Sequence, residues 1–150
     1  MPILNYTTKV DVYKTLGEIQ ADLVKHGARK IMTEYDEEGS PKTVCFEIMT
    51  GYGLREIQLP ARAEAVKKVL EKQKVKCDYQ QACRVAWRIV KDWVESQMAI
   101  LEAEMVSMDE IFLPYMVDRS GRTVFENYIK HQSLLEEGKE ENEKQSFCAE

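Results

Sequence analysis

Apolar positions change their period several times along the chain, and each change marks an element. Leu16, Ile19 and Leu23 share one helical face between Val12 and His26, and Gly27 stands where a left-handed C-cap belongs, which predicts a first helix. Ahead of it, Ile3–Val10 is a candidate for an extra N-terminal strand. Beyond Gly27, Arg29–Tyr35 is strand-like, Asp36–Pro41 is a turn, and Thr43–Thr50 alternates with Val44, Phe46 and Ile48 on one face. Gly51-Tyr52-Gly53 forms a second turn, followed by a third strand, Leu54–Leu59, with Ile57 and Leu59 inward. Pro60 then opens a helix in which Val66, Val69 and Leu70 share a face. The pattern predicts an α+β fold in which residues 1–75 form a small antiparallel sheet within an αβββα unit.

A long C-terminal helix comes next. Asp78 and Gln81 make a capping box, and apolar residues recur at helical spacing through Val85, Ile89, Trp93, Ile100 and Met108, with neither Gly nor Pro before Pro114. A helix from Tyr79 to Met108 would be roughly 45 Å long at the standard rise. Its second apolar face, Ala86, Val90, Val94, Met98, Leu101 and Met105, calls for a second partner besides the sheet. A second copy of the chain in a two-fold dimer would supply one. Ile111–Val117 is a dense apolar cluster broken by Pro114, Asp118–Arg122 is a turn, and Thr123 with Glu126 caps a short last helix carrying Phe125, Tyr128 and Ile129. Residues 76–132 thus read as a helical region packed on the first unit or mediating self-association. Residues 133–150 read as an acidic disordered tail.

Charge adds what periodicity does not show. From Arg62 to Lys91 nine basic residues stand against three acids, while Asp92 to Asp118 carries seven acids and no Lys or Arg. A helix favours acid at its start and base at its end, so local helix energetics do not account for this order. The net charge of −5 excludes a protein that coats nucleic acid non-specifically, although a local basic patch survives that argument. The four cysteines form no CxxC pair and only two histidines accompany them, which predicts reduced thiols and no zinc or other metal. With no leader-like N-terminus and no run of membrane-spanning length, the expectation is a soluble cytoplasmic protein that does not enter a membrane.

Two surfaces compete for a binding role. Arg84, Arg88 and Lys91 fall at i, i+4, i+7 beside Trp87 and Trp93, and Lys67 and Lys68 enlarge the patch. Guanidinium groups next to indoles can grip phosphate and stack bases, whereas the plainer reading makes the tryptophans core and the cations a solvated face. The αβββα order is shared with double-stranded-RNA-binding domains, but here Ala61-Arg62-Ala63-Glu64-Ala65 replaces their lysine cluster. On the acidic side, Glu95, Glu102, Glu104, Asp109 and Glu110 alternate with Met105 and Met108 and lead to Phe112. Acids edged with adaptable methionines suit a basic protein surface, though ordinary core filling would also explain the methionines. No phosphate-binding, dinucleotide-binding or nucleophile-elbow motif occurs, and neither His26 nor His131 lies near the paired carboxylates. No catalytic residue and no cofactor is expected. His26, before Gly27, reads as a helix C-terminal cation.

Three stretches, Lys25-His26-Gly27-Ala28-Arg29-Lys30-Ile31-Met32, Val85-Ala86-Trp87-Arg88-Ile89-Val90-Lys91-Asp92-Trp93-Val94 and Met108-Asp109-Glu110-Ile111-Phe112-Leu113-Pro114-Tyr115-Met116, are similar to small uncharacterised proteins of bacteriophages and prophages in Firmicutes. The resemblance covers residues 5–130 and transfers no catalytic residue. It implies a phage-borne protein that disables or adapts a host protein complex, as an anti-defence inhibitor would, or that assists replication or recombination on nucleic acid.

Overall fold

The computed structural model describes residues 1–131, so the acidic tail expected from residue 133 lies outside them. The fold is α+β, with a three-stranded antiparallel sheet and five α-helices in the described residues. Helix α1 (Val12–Lys25) starts where the Asp11 carboxylate accepts the Tyr13 N–H at 2.8 Å and ends at Gly27, whose φ of 105° is left-handed. Strands β1 (Ala28–Tyr35), β2 (Pro41–Thr50) and β3 (Gly53–Pro60) follow as a meander in the order β1-β2-β3. Its register aligns Ile31, Phe46 and Ile57, and Thr33, Val44 and Leu59, as rows of one face. That face joins the core, whereas the alternate residues Met32, Met49 and Leu54 stay exposed.

Helix α2 (Ala63–Lys72) starts later than the sequence suggests. Pro60 still pairs with Thr43, and the Ala61 N–H donates to the Lys42 carbonyl at 2.9 Å, so the ladder holds the chain extended past the proline. Helix α3 (Tyr79–Glu102) packs along α1 and α2 and buries Ala82, Cys83, Val85, Ala86, Trp87, Val94 and Met98. The Trp87 indole N–H, fully buried, donates to the Pro41 carbonyl at 3.0 Å and ties the helix to the start of β2. Of the two apolar faces, Val85, Ala86, Val94 and Met98 are covered within the chain, Ile89, Val90, Trp93, Ile100 and Leu101 are half-buried, and Met105, beyond the helix end, stays exposed.

Two further expectations are corrected. Ile3–Val10 is not a strand: residues 4–7 form turns, and the segment is pinned to helices by side chains. Gln81 Nε2 donates to the carbonyls of Tyr6 and Thr8, Asn5 Nδ2 to Asp92 Oδ2 at 2.7 Å, and the Ile3 N–H to Gln73 Oε1, so the backbone groups a ladder would use are already engaged. The long helix ends at Glu102, six residues before Met108. The Met105 N–H donates to Ile100 and the Glu104 N–H to Leu101, with Glu104 at φ 59°, a Schellman ending built without glycine. Lys74 closes α2 the same way at φ 60°. Ser107 and Glu110 then form a capping box that starts α4 (Met108–Phe112).

A single 3₁₀ turn, Leu113–Tyr115, leads to Met116 and Val117, which lie against β3: the Val117 N–H donates to the Glu56 carbonyl at 2.9 Å and Met116 bridges Ile57. Helix α5 (Val124–Lys130) follows the turn that the Asp118 carboxylate organises through Ser120, Arg122 and Asn127. One hydrophobic core runs from Leu16 through Phe46 and Trp87 to Phe112 and Met116. Among the described residues no helix is long and apolar enough to cross a membrane.

Replacing Phe112 with Ala should cost about 3–5 kcal/mol in chemical denaturation, because its ring is fully buried edge-on to Phe46 (centroids 5.4 Å apart) and Trp93 (6.0 Å). Lys74→Gly should instead raise stability by up to about 1 kcal/mol in the same assay, since glycine adopts the left-handed geometry without the Cβ clash.

Candidate functional site

The basic stripe of α3 is spent inside the fold. Arg88 Nη1 reaches across to α1, 2.7 Å from Glu18 Oε2 and 3.4 Å from Thr15 Oγ1. Lys91 Nζ meets Glu95 Oε2 one turn on at 2.5 Å, and that contact, placed ahead of burial and the other charges, raises the Lys91 pKa. Arg84 Nε donates to Gln81. Trp87, expected to stack on bases, is wholly buried, and the plainer reading of it as core holds. Lys67 pairs with Glu71 at 3.9 Å, and the open cleft that Lys67 and Lys68 line also carries Asp36, Glu37, Glu38 and Glu64. In this cleft the acids offset the attraction of the two lysines for phosphate.

The acidic segment divides in two. Glu95 faces Lys91, and Asp118 holds a turn, its carboxyl kept low first by Ser120 and then by Asn127. Glu102 lies at the foot of α3 beside the end of α1, where His26 Nε2 is 2.8 Å from its Oε1 and Lys25 Nζ is 3.7 Å away. The other ring nitrogen, His26 Nδ1, is 2.7 Å from the Asp22 carbonyl. Both nitrogens face acceptors, so only the imidazolium can donate to both. Burial lowers the His26 pKa, but the Asp22 carbonyl and then the Glu102 carboxylate outweigh it and leave the value raised above 6.5. The Glu102 carboxyl is lowered, chiefly by His26 and then by Lys25. His26 is thus a helix C-terminal cation that also clasps a second helix.

The remaining acids stand at one end of the molecule. Glu104 and Glu110 are exposed and Asp109 half-buried, and none of the three forms an ion pair among the described residues. Glu110 is engaged in capping Ser107. A Cβ on Gly51 would lie 4.0 Å from Asp109 Oδ2, so the first turn of α4, just past the α3–α4 connection, abuts the β2–β3 turn. That turn presents Tyr52, 80% exposed, with the cross-strand pair Met49 and Leu54 beside it, while Met105 on the connection is 68% exposed. Met108 packs partly against the core, and Phe112, expected on the surface, is wholly buried under Phe46 and Trp93. Tyr52, Met49 and Leu54 escaped the sequence reading. An aromatic between two glycines at a hairpin tip was the available signal.

Burial, ahead of the Glu34 carboxylate, pushes the Cys45 thiol up to about 12, and burial also raises Cys83 and, with Asp78, Cys77, so no thiolate nucleophile is favoured. Tyr79 donates its hydroxyl to Asp36 Oδ2 at 2.5 Å, which raises the phenol and lowers the carboxyl, and Asp36 also receives the Glu38 and Ser40 N–H groups. This is a structural tie between the β1–β2 turn and α3. Among the described residues no three His, Cys, Asp or Glu side chains are grouped to hold a metal ion. Compared with protein-family models, with curated proteins and with solved structures, the chain matches none.

The His26–Glu102 contact fixes a pH dependence. His26, with its folded pKa raised, contributes stability that is full below 6.5 and lost as pH rises through the folded value. Glu102, with its folded pKa lowered, contributes above 4.5 and loses that as pH falls through its folded value. Their joint contribution is largest between these limits, so Glu102→Gln should reduce stability in urea more at pH 5.5 than at pH 8.5. An equal loss at both pH values would contradict the pairing.

Proposed function

We propose that the protein acts by binding, without turnover, and that it docks through the end formed by the start of α4, with the α3–α4 connection leading into it, and the β2–β3 turn. The approach of Asp109 to Gly51 carries this reading, because it unites acids free of ion pairs among the described residues with exposed Tyr52, Met49, Leu54 and Met105. Exposed apolar groups rimmed by charge are the usual composition of a protein-docking patch. Arg55 lies beside the same turn, its guanidinium donating to the Tyr52 and Leu54 carbonyls, but Glu104, Asp109 and Glu110 outnumber it, so the net sign suits a basic surface, and the adaptable Met49 and Met105 suit one whose shape is not matched in advance. In the setting implied by the resemblance to phage and prophage proteins, the partner is a host protein complex that the chain inhibits or adapts. The acids paired inside the fold, Glu95 and Glu102, are left out of this surface, as is Phe112.

Affinity capture from a bacterial lysate, with and without nuclease, tests the reading. The wild type should retain a nuclease-resistant protein partner, and Tyr52→Ala with Glu104→Lys should weaken that retention by at least about tenfold, the range of losing one anchor residue. On heparin resin at low salt the wild type should flow through. Retention on heparin, capture that nuclease abolishes, or capture unchanged in the double variant would overturn the proposal.

A further inference from the structure

The two edges of the sheet are treated differently. The edge of β3 is covered by the chain itself, through Met116 and Val117. The edge of β1 carries no strand or bridge among the described residues. An open row of backbone donors and acceptors is a template for another strand, which proteins ordinarily blunt with charged side chains, proline, bulges or short length. Strand β1 holds no proline but carries Arg29, Lys30 and Glu34, charges that deter pairing unless an opposite charge faces them, and its register shifts fall between Ala28 and Lys30 and between Glu34 and Tyr35, leaving Lys30–Glu34 as the regular stretch. Met32 is its centre.

We infer that this edge pairs with the same edge of a second copy, antiparallel about a two-fold axis at Met32, to give a continuous six-stranded sheet. The sequence of the stretch is self-complementary in that arrangement and in no neighbouring one. With the axis at Met32, Lys30 lies opposite Glu34 of the other copy, twice, and Ile31 lies opposite Thr33. Moving the axis to Ile31 or Thr33 puts Met32 opposite a charged side chain, and moving it further sets Lys30 against Lys30 or Glu34 against Glu34. The side chains are placed to respond. Lys30 is 80% exposed with a weak contact to Glu47 at 3.8 Å, and Glu34, half-buried, accepts the Cys45 thiol at 3.4 Å and has no cation partner among the described residues. Met32 is 57% exposed, and at the axis it would be covered by its own copy. This interface is on β1, away from the docking end described above, and the isologous geometry closes as a dimer instead of growing into a fibre.

Charge exchange in the full chain tests it by sedimentation at tens of micromolar. The wild type should run at twice the monomer mass. Lys30→Glu alone and Glu34→Lys alone should each run as monomers, because each sets like charges opposite one another at both ends of the pairing. Their equimolar mixture should recover the dimer, since every opposed pair then has opposite signs, and recovery on mixing shows that both variants are folded. In the wild type, amide hydrogen exchange should slow with rising concentration within residues 30–34 only. A monomeric wild type, single variants that remain dimers, a mixture that stays monomeric, or exchange in β1 that does not respond to concentration would each overturn the inference.

Discussion

Burial of α3 along two faces is the constraint from which the rest of the fold follows. A helix with Val85, Ala86, Trp87, Val94 and Met98 all removed from water needs apolar cover in more than one direction, and α1, α2 and the inner sheet face together provide it. Ala82 and Ala86, one turn apart, keep the helix narrow where it is most enclosed. The largest side chain in this zone is also polar, and the Trp87 N–H to the Pro41 carbonyl removes what would otherwise be an unsatisfied buried donor. Among the described residues no buried side-chain nitrogen or oxygen lacks a partner. Placing α3 in the middle of the helical layer fixes the sites of α1 and α2, and so the direction in which the chain enters and leaves the sheet.

The charge reversal along α3 then has a local explanation. Its cations and anions are used to tie elements together: Arg88 to α1, Asp92 to the N-terminal segment, Glu102 to the end of α1. Each exposed pair is worth little by itself. The half-buried contacts at Arg88 and His26 matter more, because they fix how α1 lies against α3. A helix whose charges look like an interface in one dimension therefore uses several of them within the fold, and the acids left without an ion pair among the described residues, Glu104, Asp109 and Glu110, lie just past the end of α3.

Where α3 stops is decided by a strained residue. A left-handed glutamate at 104 ends the helix at the edge of the domain, and the Ser107–Glu110 box restarts the chain toward the core so that Phe112 can reach Phe46. The start of α4 is delivered to the β2–β3 turn by this reversal. Had the helix continued to Met108, its end would have projected past the sheet and Phe112 would have lost its place under Trp93.

By itself the sequence determined the elements whose signal is local: α1 with its Asp11 start and Gly27 stop, three strands with their alternation, the Asp78 start of α3, and the Thr123 cap of α5. These depend on periodicity and on side chains hydrogen-bonding to backbone within a turn or two. Tertiary structure alone decided what depends on distant atoms. Thr43 and Lys42 kept Pro60 and Ala61 in the ladder, Gln81 and Asp92 held the N-terminal segment away from a strand, and Phe46 drew Phe112 inward. The same holds for the candidate surface, whose acids were legible as charges while their availability was not. Whether an acid is paired is a question of which helix ends meet, and Glu102 met His26 seventy-six residues away.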